Sequence, residues 1–119
     1  MLYILLPAYN EEKDIGLLMQ RIRAAMNESG VKYQVLVVND GSTDGTAQVI
    51  AACQREVPVE LIEHPVNRGL GQAMLTGLRR AAGLLRDEDI LVTMDADNTH
   101  DPLLIGRMAL EIQSGADLV

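Results

Sequence analysis

Tryptophan and phenylalanine are absent from this 119-residue chain, and three tyrosines are the whole of its aromatic content. Its interior must therefore be aliphatic, drawn from the Val, Ile, Leu, Met and Ala that dominate a 48% hydrophobic composition. Cysteine occurs once, at Cys53, which excludes an internal disulfide and a cysteine-based zinc cluster. The expected place of Cys53 is the buried side of a helix, as a small hydrophobe. Cations are scarce too: ten Lys and Arg stand against 17 Asp and Glu, a formal charge of -7. That balance argues against a nucleic-acid backbone as partner, because its phosphates need clustered basic groups. Any phosphate ligand must be met by a metal cation or by backbone N–H groups. No secretory leader is expected from LYILLP, which is too short and lacks a basic lead-in. No stretch approaches the roughly 20 apolar residues of a membrane span. The expected location is cytoplasmic, or the cytoplasmic face of a membrane if a longer parent carries membrane segments.

What is present alternates regularly. LYILLP (2–7), YQVLVVND (33–40), VELIEH (59–64) and DILVTMD (89–95) read as short buried strands, and ADLV (116–119) as the opening of a fifth. Between them, Ile15, Leu18, Met19, Ile22, Ala25 and Met26 fall at helical spacing from Glu12 to about Ser29, where Gly30 ends the helix. Thr43 and Asp44 can cap a helix carrying Ala47, Val49, Ile50 and Cys53. A third helix is expected from about Gly69 to Leu85, and a fourth from Pro102. Fully apolar strands separated by amphipathic helices imply an α/β, Rossmann-like three-layer sandwich with a mostly parallel sheet. Ligands in such sheets bind beyond the carboxyl ends of the strands. Three polar clusters sit there: PAYNEE, NDGSTDGT and DADNTHDP.

In NDGSTDGT the order Asp40, Ser42, Asp44, Gly45 mimics a calcium loop. It fails at the twelfth position, where Ala51 replaces the bidentate Glu. Gly41 and Gly45 permit a turn, and Thr43 and Asp44 read as helix caps. Asp40, last in a buried strand, is placed to accept from a nucleobase N–H or a ribose hydroxyl. In PAYNEE, Pro7 is expected to end the strand and Asn10 to cap the next helix, while Tyr9 offers a ring for stacking and Glu11 a carboxylate beside it. Gly69-x-Gly71 is a weak fragment of a dinucleotide fingerprint, better read as a helix N-terminus near a phosphate, with Arg68 alongside. Asp95 and Asp97, two residues apart after an apolar strand, suit a hard divalent ion such as Mg2+ or Mn2+ that keeps positions open for diphosphate oxygens. His100 reads as a loop residue.

The stretches ILLPAYNEEKDI, VLVVNDGSTDGT, NRGLGQAMLTGL and ILVTMDADNTHDP together resemble glycosyltransferase family 2, in its dolichol-phosphate mannosyltransferase-like branch. The resemblance implies a GT-A nucleotide-binding half that takes a GDP- or UDP-linked sugar with Mg2+ or Mn2+. It also implies a lipid phosphate as a frequent acceptor. By the same resemblance Pro7, Tyr9, Glu11, Val38 and Asp40 hold the nucleoside, and Asp95, Ala96 and Asp97 form the DxD motif for ribose and metal. Two positions depart from the family pattern. Asn39 stands where the mannosyltransferases usually have a second acid, and Thr99 where they often have a Gln able to join the metal shell.

In this family the acceptor half follows the fifth strand, so residues 1–119 read as the donor-binding part of a longer glycosyltransferase, with no general base of their own. Such a piece is expected to bind donor without turning it over, and to self-associate through an uncovered sheet edge. Two rival readings are a catalytically silent binding or assembly module and a sugar nucleotidyltransferase. The latter would open with a Gly-rich basic loop after the first strand, which PAYNEEKD is not.

Overall fold

The computed structural model describes residues 1–96 together with Pro102. Its elements are β1 (Leu2–Ala8), α1 (Ile15–Ser29), β2 (Tyr33–Asp40), α2 (Thr46–Cys53), β3 (Val59–His64), α3 (Leu70–Leu84) and β4 (Ile90–Thr93). The strands pair in the order β3-β2-β1-β4, every neighbouring pair parallel. The expected fifth strand and the helix from Pro102 lie outside the described residues, apart from Pro102 itself.

Alternation along the strands divides the core between two faces. Leu2, Ile4, Leu6 and Ala8 of β1, with Val35 and Val37 of β2, pack on the side of α1 and α2. Leu5, Leu36 and Val38 turn to α3, where Ala73 and Ala81 meet them. The buried stripe of α1 is Ile15, Leu18, Met19, Ile22, Ala25 and Met26, as the spacing requires. Each large aliphatic side chain so buried contributes about 1.5–3 kcal/mol. Cys53 is buried in the α2 layer. Helix α3 sits so close to the sheet that a Cβ on Gly77 would lie 2.2 Å from Leu5 Cδ1.

Three boundaries differ from those expected, each for a local reason. Strand β1 runs through Pro7 to Ala8, with Pro7 paired to Val38. Leu5 turns its carbonyl to β4, accepting from Met94 N–H at 3.0 Å, so Pro7, two residues on, faces the same side. The β4 ladder has ended there, at Leu5 and Thr93, and the N–H that proline lacks is not needed. Helix α1 starts at Ile15 instead of Glu12, because residues 11–14 form a separate turn in which Glu11 C=O accepts from Asp14 and Ile15 N–H groups. Strand β4 is four residues long, and Met94 and Asp95 follow it as a loop.

Candidate functional site

The chain moves outward from β1 through β2 to β3, then returns to lay β4 on the other side of β1. That reversal opens a crevice above the carboxyl ends of the strands, the usual ligand position in open α/β sheets. A cleft of about 330 Å³ occupies it, lined by Pro7, Ala8, Tyr9 and Glu11 after β1, Asp40 at the end of β2, Asn67, Gly69, Leu70 and Ala73 around the start of α3, and Asp95 and Ala96 after β4. Six of the seven residues expected to meet a nucleotide therefore share one cavity. The seventh, Val38, is fully buried between the sheet and α3 and does not line the cleft. Asp97, Thr99 and His100 lie outside the described residues.

The floor and one wall are held by bonds between the loops that follow β1 and β2. Asn10 takes a left-handed φ of 52° and does not cap α1. Its side-chain oxygen accepts from Thr43 N–H at 2.8 Å, and its own N–H donates to Ser42 Oγ at 3.0 Å. Glu11 N–H donates to Thr46 Oγ1 at 2.9 Å, and Glu12 N–H to Asp44 at 3.3 Å. Asp44 also accepts from Thr46 N–H at 3.0 Å, but the N-cap of α2 is Gly45, which follows it, so neither Thr43 nor Asp44 takes the expected capping position. The Thr43 hydroxyl is directed instead to Asn10. Asn39 is buried and accepts from the Ser42 hydroxyl, so the amide found at this position secures the turn after β2. With those bonds made, Tyr9 keeps 44% of its surface exposed at the cleft, enough to present a ring face to a planar ligand.

Asp40 is buried, and its carboxylate holds the loop after β3. Oδ1 accepts from His64 Nδ1 at 2.8 Å and from Arg68 N–H at 2.9 Å, and Oδ2 accepts from Gly69 N–H at 2.9 Å. Burial pushes its carboxyl pKa up, but the hydrogen bonds from His64 and from the Arg68 and Gly69 N–H groups outweigh that effect. The group titrates below the ordinary carboxylate range and stays ionised at neutral pH. His64 is itself buried, and its Nε2 lies 2.8 Å from Thr76 Oγ1 on α3. Neither His64 nor Thr76 stands out as a site residue in the sequence. A signal was available, since flush parallel pairing of the two strand ends sets His64 opposite Asp40.

Asp95 is exposed at the cleft mouth and Ala96 beside it is buried. Among the described residues no three His, Cys, Asp or Glu side chains gather as a metal-binding group. Asp40 is committed to N–H donors, so Asp95 and Glu11 are the lining carboxylates whose chemistry suits a hard ion, oxygen donors without sulfur or imidazole. Among the described residues, no helix is long and apolar enough to cross a membrane.

This arrangement has counterparts in known proteins. The chain is 32% identical over 115 residues to the dolichol-phosphate mannosyltransferase of Pyrococcus furiosus, which takes in 97% of this chain and 31% of that protein. It is similar in structure to the mannosyltransferase PcManGT from Pyrobaculum calidifontis, solved in complex with GDP-Man and Mn2+. There the TM-score is 0.60 at 27% identity, over 81% of this chain and 27% of that one. S. aureus TarS 1-349 in complex with UDP-GlcNAc gives a TM-score of 0.76 at 22% identity, over 95% of this chain and 31% of that one, a likeness of fold. The chain spans about a third of the length of the curated relatives it matches. The sheet is the Rossmann-like GT-A kind expected from the motifs. The pattern described as glycosyl transferase family 2 runs through residues 3–119, and the chain belongs to that family.

Proposed function

We propose that the cleft binds the nucleoside diphosphate of a GDP- or UDP-linked sugar, and that the longer protein transfers the sugar to an acceptor such as a polyprenyl phosphate. The observation that carries this reading is the convergence of Tyr9, Glu11, Asp40 and Asp95 on one cavity at the reversal of strand order. In it Pro7, Tyr9, Glu11, Val38 and Asp40 serve the nucleoside, and Asp95, Ala96 and Asp97 the ribose and a Mg2+ or Mn2+ ion. Val38 acts from beneath, as packing under the cleft. The N-terminus of α3, at Gly69 and Leu70, opens on the same cavity and adds a favourable dipole for a diphosphate. A divalent ion there would offset the acidity of the protein and stabilise negative charge on the departing nucleoside diphosphate. The named function of the Pyrococcus relative supports the lipid phosphate acceptor, and the GDP-Man and Mn2+ of the Pyrobaculum structure support the donor and the metal.

On this reading the groups that meet the acceptor belong to the part of the family fold that follows the fifth strand, and the 119-residue chain binds donor without turning it over. Calorimetry with UDP and GDP, with Mn2+ and then with a chelator, tests the reading. Binding that requires the metal and falls at least about tenfold in Asp95→Ala supports it. Equal binding by Asp95→Ala, or binding indifferent to the chelator, removes the metal-diphosphate assignment, and sugar transfer by the isolated chain refutes the division of labour. Association through the edge formed by ADLV concerns residues outside those described, and sedimentation of the chain over a range of concentrations tests it.

A further inference from the structure

The line from Asp40 through His64 to Thr76 is the buried polar feature that the reading above leaves unexplained. Its three members come from the end of β2, the end of β3 and the second turn of α3. An ionised carboxylate only accepts, so Nδ1 of His64 carries the proton of the 2.8 Å bond to Asp40 Oδ1. The other ring nitrogen, Nε2, is hydrogen-bonded to the Thr76 hydroxyl, also at 2.8 Å. Both ring nitrogens are used, which fixes the orientation of the ring.

The count of acceptor positions gives this line a consequence at the cleft. A carboxylate offers about four lone-pair sites, two per oxygen. His64 and Arg68 N–H take those of Oδ1, and Gly69 N–H takes one of Oδ2. Among the described residues, these donors leave one acceptor position, on Oδ2, in a group that lines the cavity.

We propose that His64, braced by Thr76, is a positioning residue for nucleobase selection: it locks Asp40 as an ionised acceptor with one remaining site, which admits a base bearing a ring N–H and rejects one bearing a ring acceptor. Uracil and guanine carry that N–H, whereas cytosine and adenine present a lone pair at the same ring position. The inference rests on the reading that Asp40 meets the base. His64 does not touch the ligand in this scheme. If released, the Asp40 carboxylate could turn, and its selectivity would relax even where the fold survives.

The test is a ratio of affinities, measured on the full chain with Mn2+ present: UDP against CDP and GDP against ADP. The parent should favour the ring N–H bases. His64→Gln, whose amide reaches past the Nδ1 position, should lower that preference roughly tenfold, the worth of one hydrogen bond to a charged group. His64→Asn, whose amide nitrogen stands close to where Nδ1 was, should restore most of it. Thr76→Val should lose a smaller share, and it keeps the test open if a His64 variant does not fold. Parental ratios in both His64→Gln and Thr76→Val, whatever their melting temperatures, overturn the proposal, as do equal ratios in the Asn and Gln variants when both fall below the parent. Asp40→Asn separates the two levels of the argument. If it keeps the parental ratio, Asp40 does not read the base, and the proposal falls together with the reading beneath it. If it loses the ratio while His64→Gln keeps it, the proposal alone falls.

Discussion

Replacing Gly41 with alanine should be among the most damaging single-methyl changes available to this chain. Gly41 follows Asp40 with φ at 68°, and a Cβ there would lie 2.3 Å from Asn67 N, 2.3 Å from Val66 C and 2.8 Å from Val66 Cα. All three are backbone atoms and cannot rotate aside. The segment they belong to is tied to Asp40 through the Arg68 and Gly69 N–H groups, so it cannot retreat without breaking those bonds. The left-handed conformation costs an alanine about 1–2 kcal/mol, and forcing a methyl into closed space about 1–3 kcal/mol more. Gly30→Ala isolates the first cost, because φ there is 72° and nothing lies within 4 Å of the added Cβ. Urea unfolding of the parent and both variants should therefore place Gly30→Ala about 1–2 kcal/mol down and Gly41→Ala about 2–5 kcal/mol down. At roughly 4 °C per kcal/mol, the larger loss corresponds to about 8–20 °C in melting temperature. Because the strained segment lines the cleft, nucleoside diphosphate affinity should fall in Gly41→Ala and hold in Gly30→Ala. A Gly41→Ala chain no less stable than Gly30→Ala would refute the close approach of the two loops.

Acid should weaken the fold in a way traceable to Asp40. Its folded pKa lies below the unfolded value near 3.9, so its contribution is complete above about pH 5 and is lost as pH falls through the folded value. The gap in urea midpoint between the parent and Asp40→Asn should then narrow from about pH 6 to pH 3, and a constant gap would contradict this. Gly77→Ala gains helix propensity but meets Leu5 Cδ1 at 2.2 Å in a fully buried layer, so a net loss of about 1–3 kcal/mol is expected by thermal unfolding. The fork of Arg80 on Glu60, with both bonds at 2.7 Å, stands largely in solvent, so Arg80→Ala should leave the urea midpoint close to the parent's, and closer still at high salt.

How legible the molecule was in its sequence differs by the range of the interaction concerned. The bounds of β2 and β3 and the stripe of α1 follow from apolar periodicity, and they are found where the periodicity puts them. Helix α1 starts later than its apolar spacing suggests because residues 11–14 close a turn on the Glu11 carbonyl, beside a Glu12 N–H bonded to Asp44, 32 residues away. Asn10 looked like a helix cap by its neighbours, yet its bonds go to Ser42 and Thr43 on another loop. Tyr9, Glu11, Asp40 and Asp95 were legible as a group because strand ends in a parallel sheet converge. His64 becomes legible only when the ends of β2 and β3 are paired flush, and Thr76 stays hidden because its bond depends on how α3 lies across the sheet, which local pattern does not carry.

The stitched loops after β1 and β2 divide their duties residue by residue. Asn10, Ser42, Thr43 and Thr46 fasten one loop to the other, while Tyr9 between them is left to whatever enters the cleft. Change at Tyr9 leaves every one of these fastenings in place, so the exposed ring at the cleft can be altered at little structural cost. Asp40 has no such freedom, being anchor and ligand-facing group in one. Under the proposed nucleotide reading, a lineage carrying this frame would drift readily in how it grips a base and stay conservative in which base it admits.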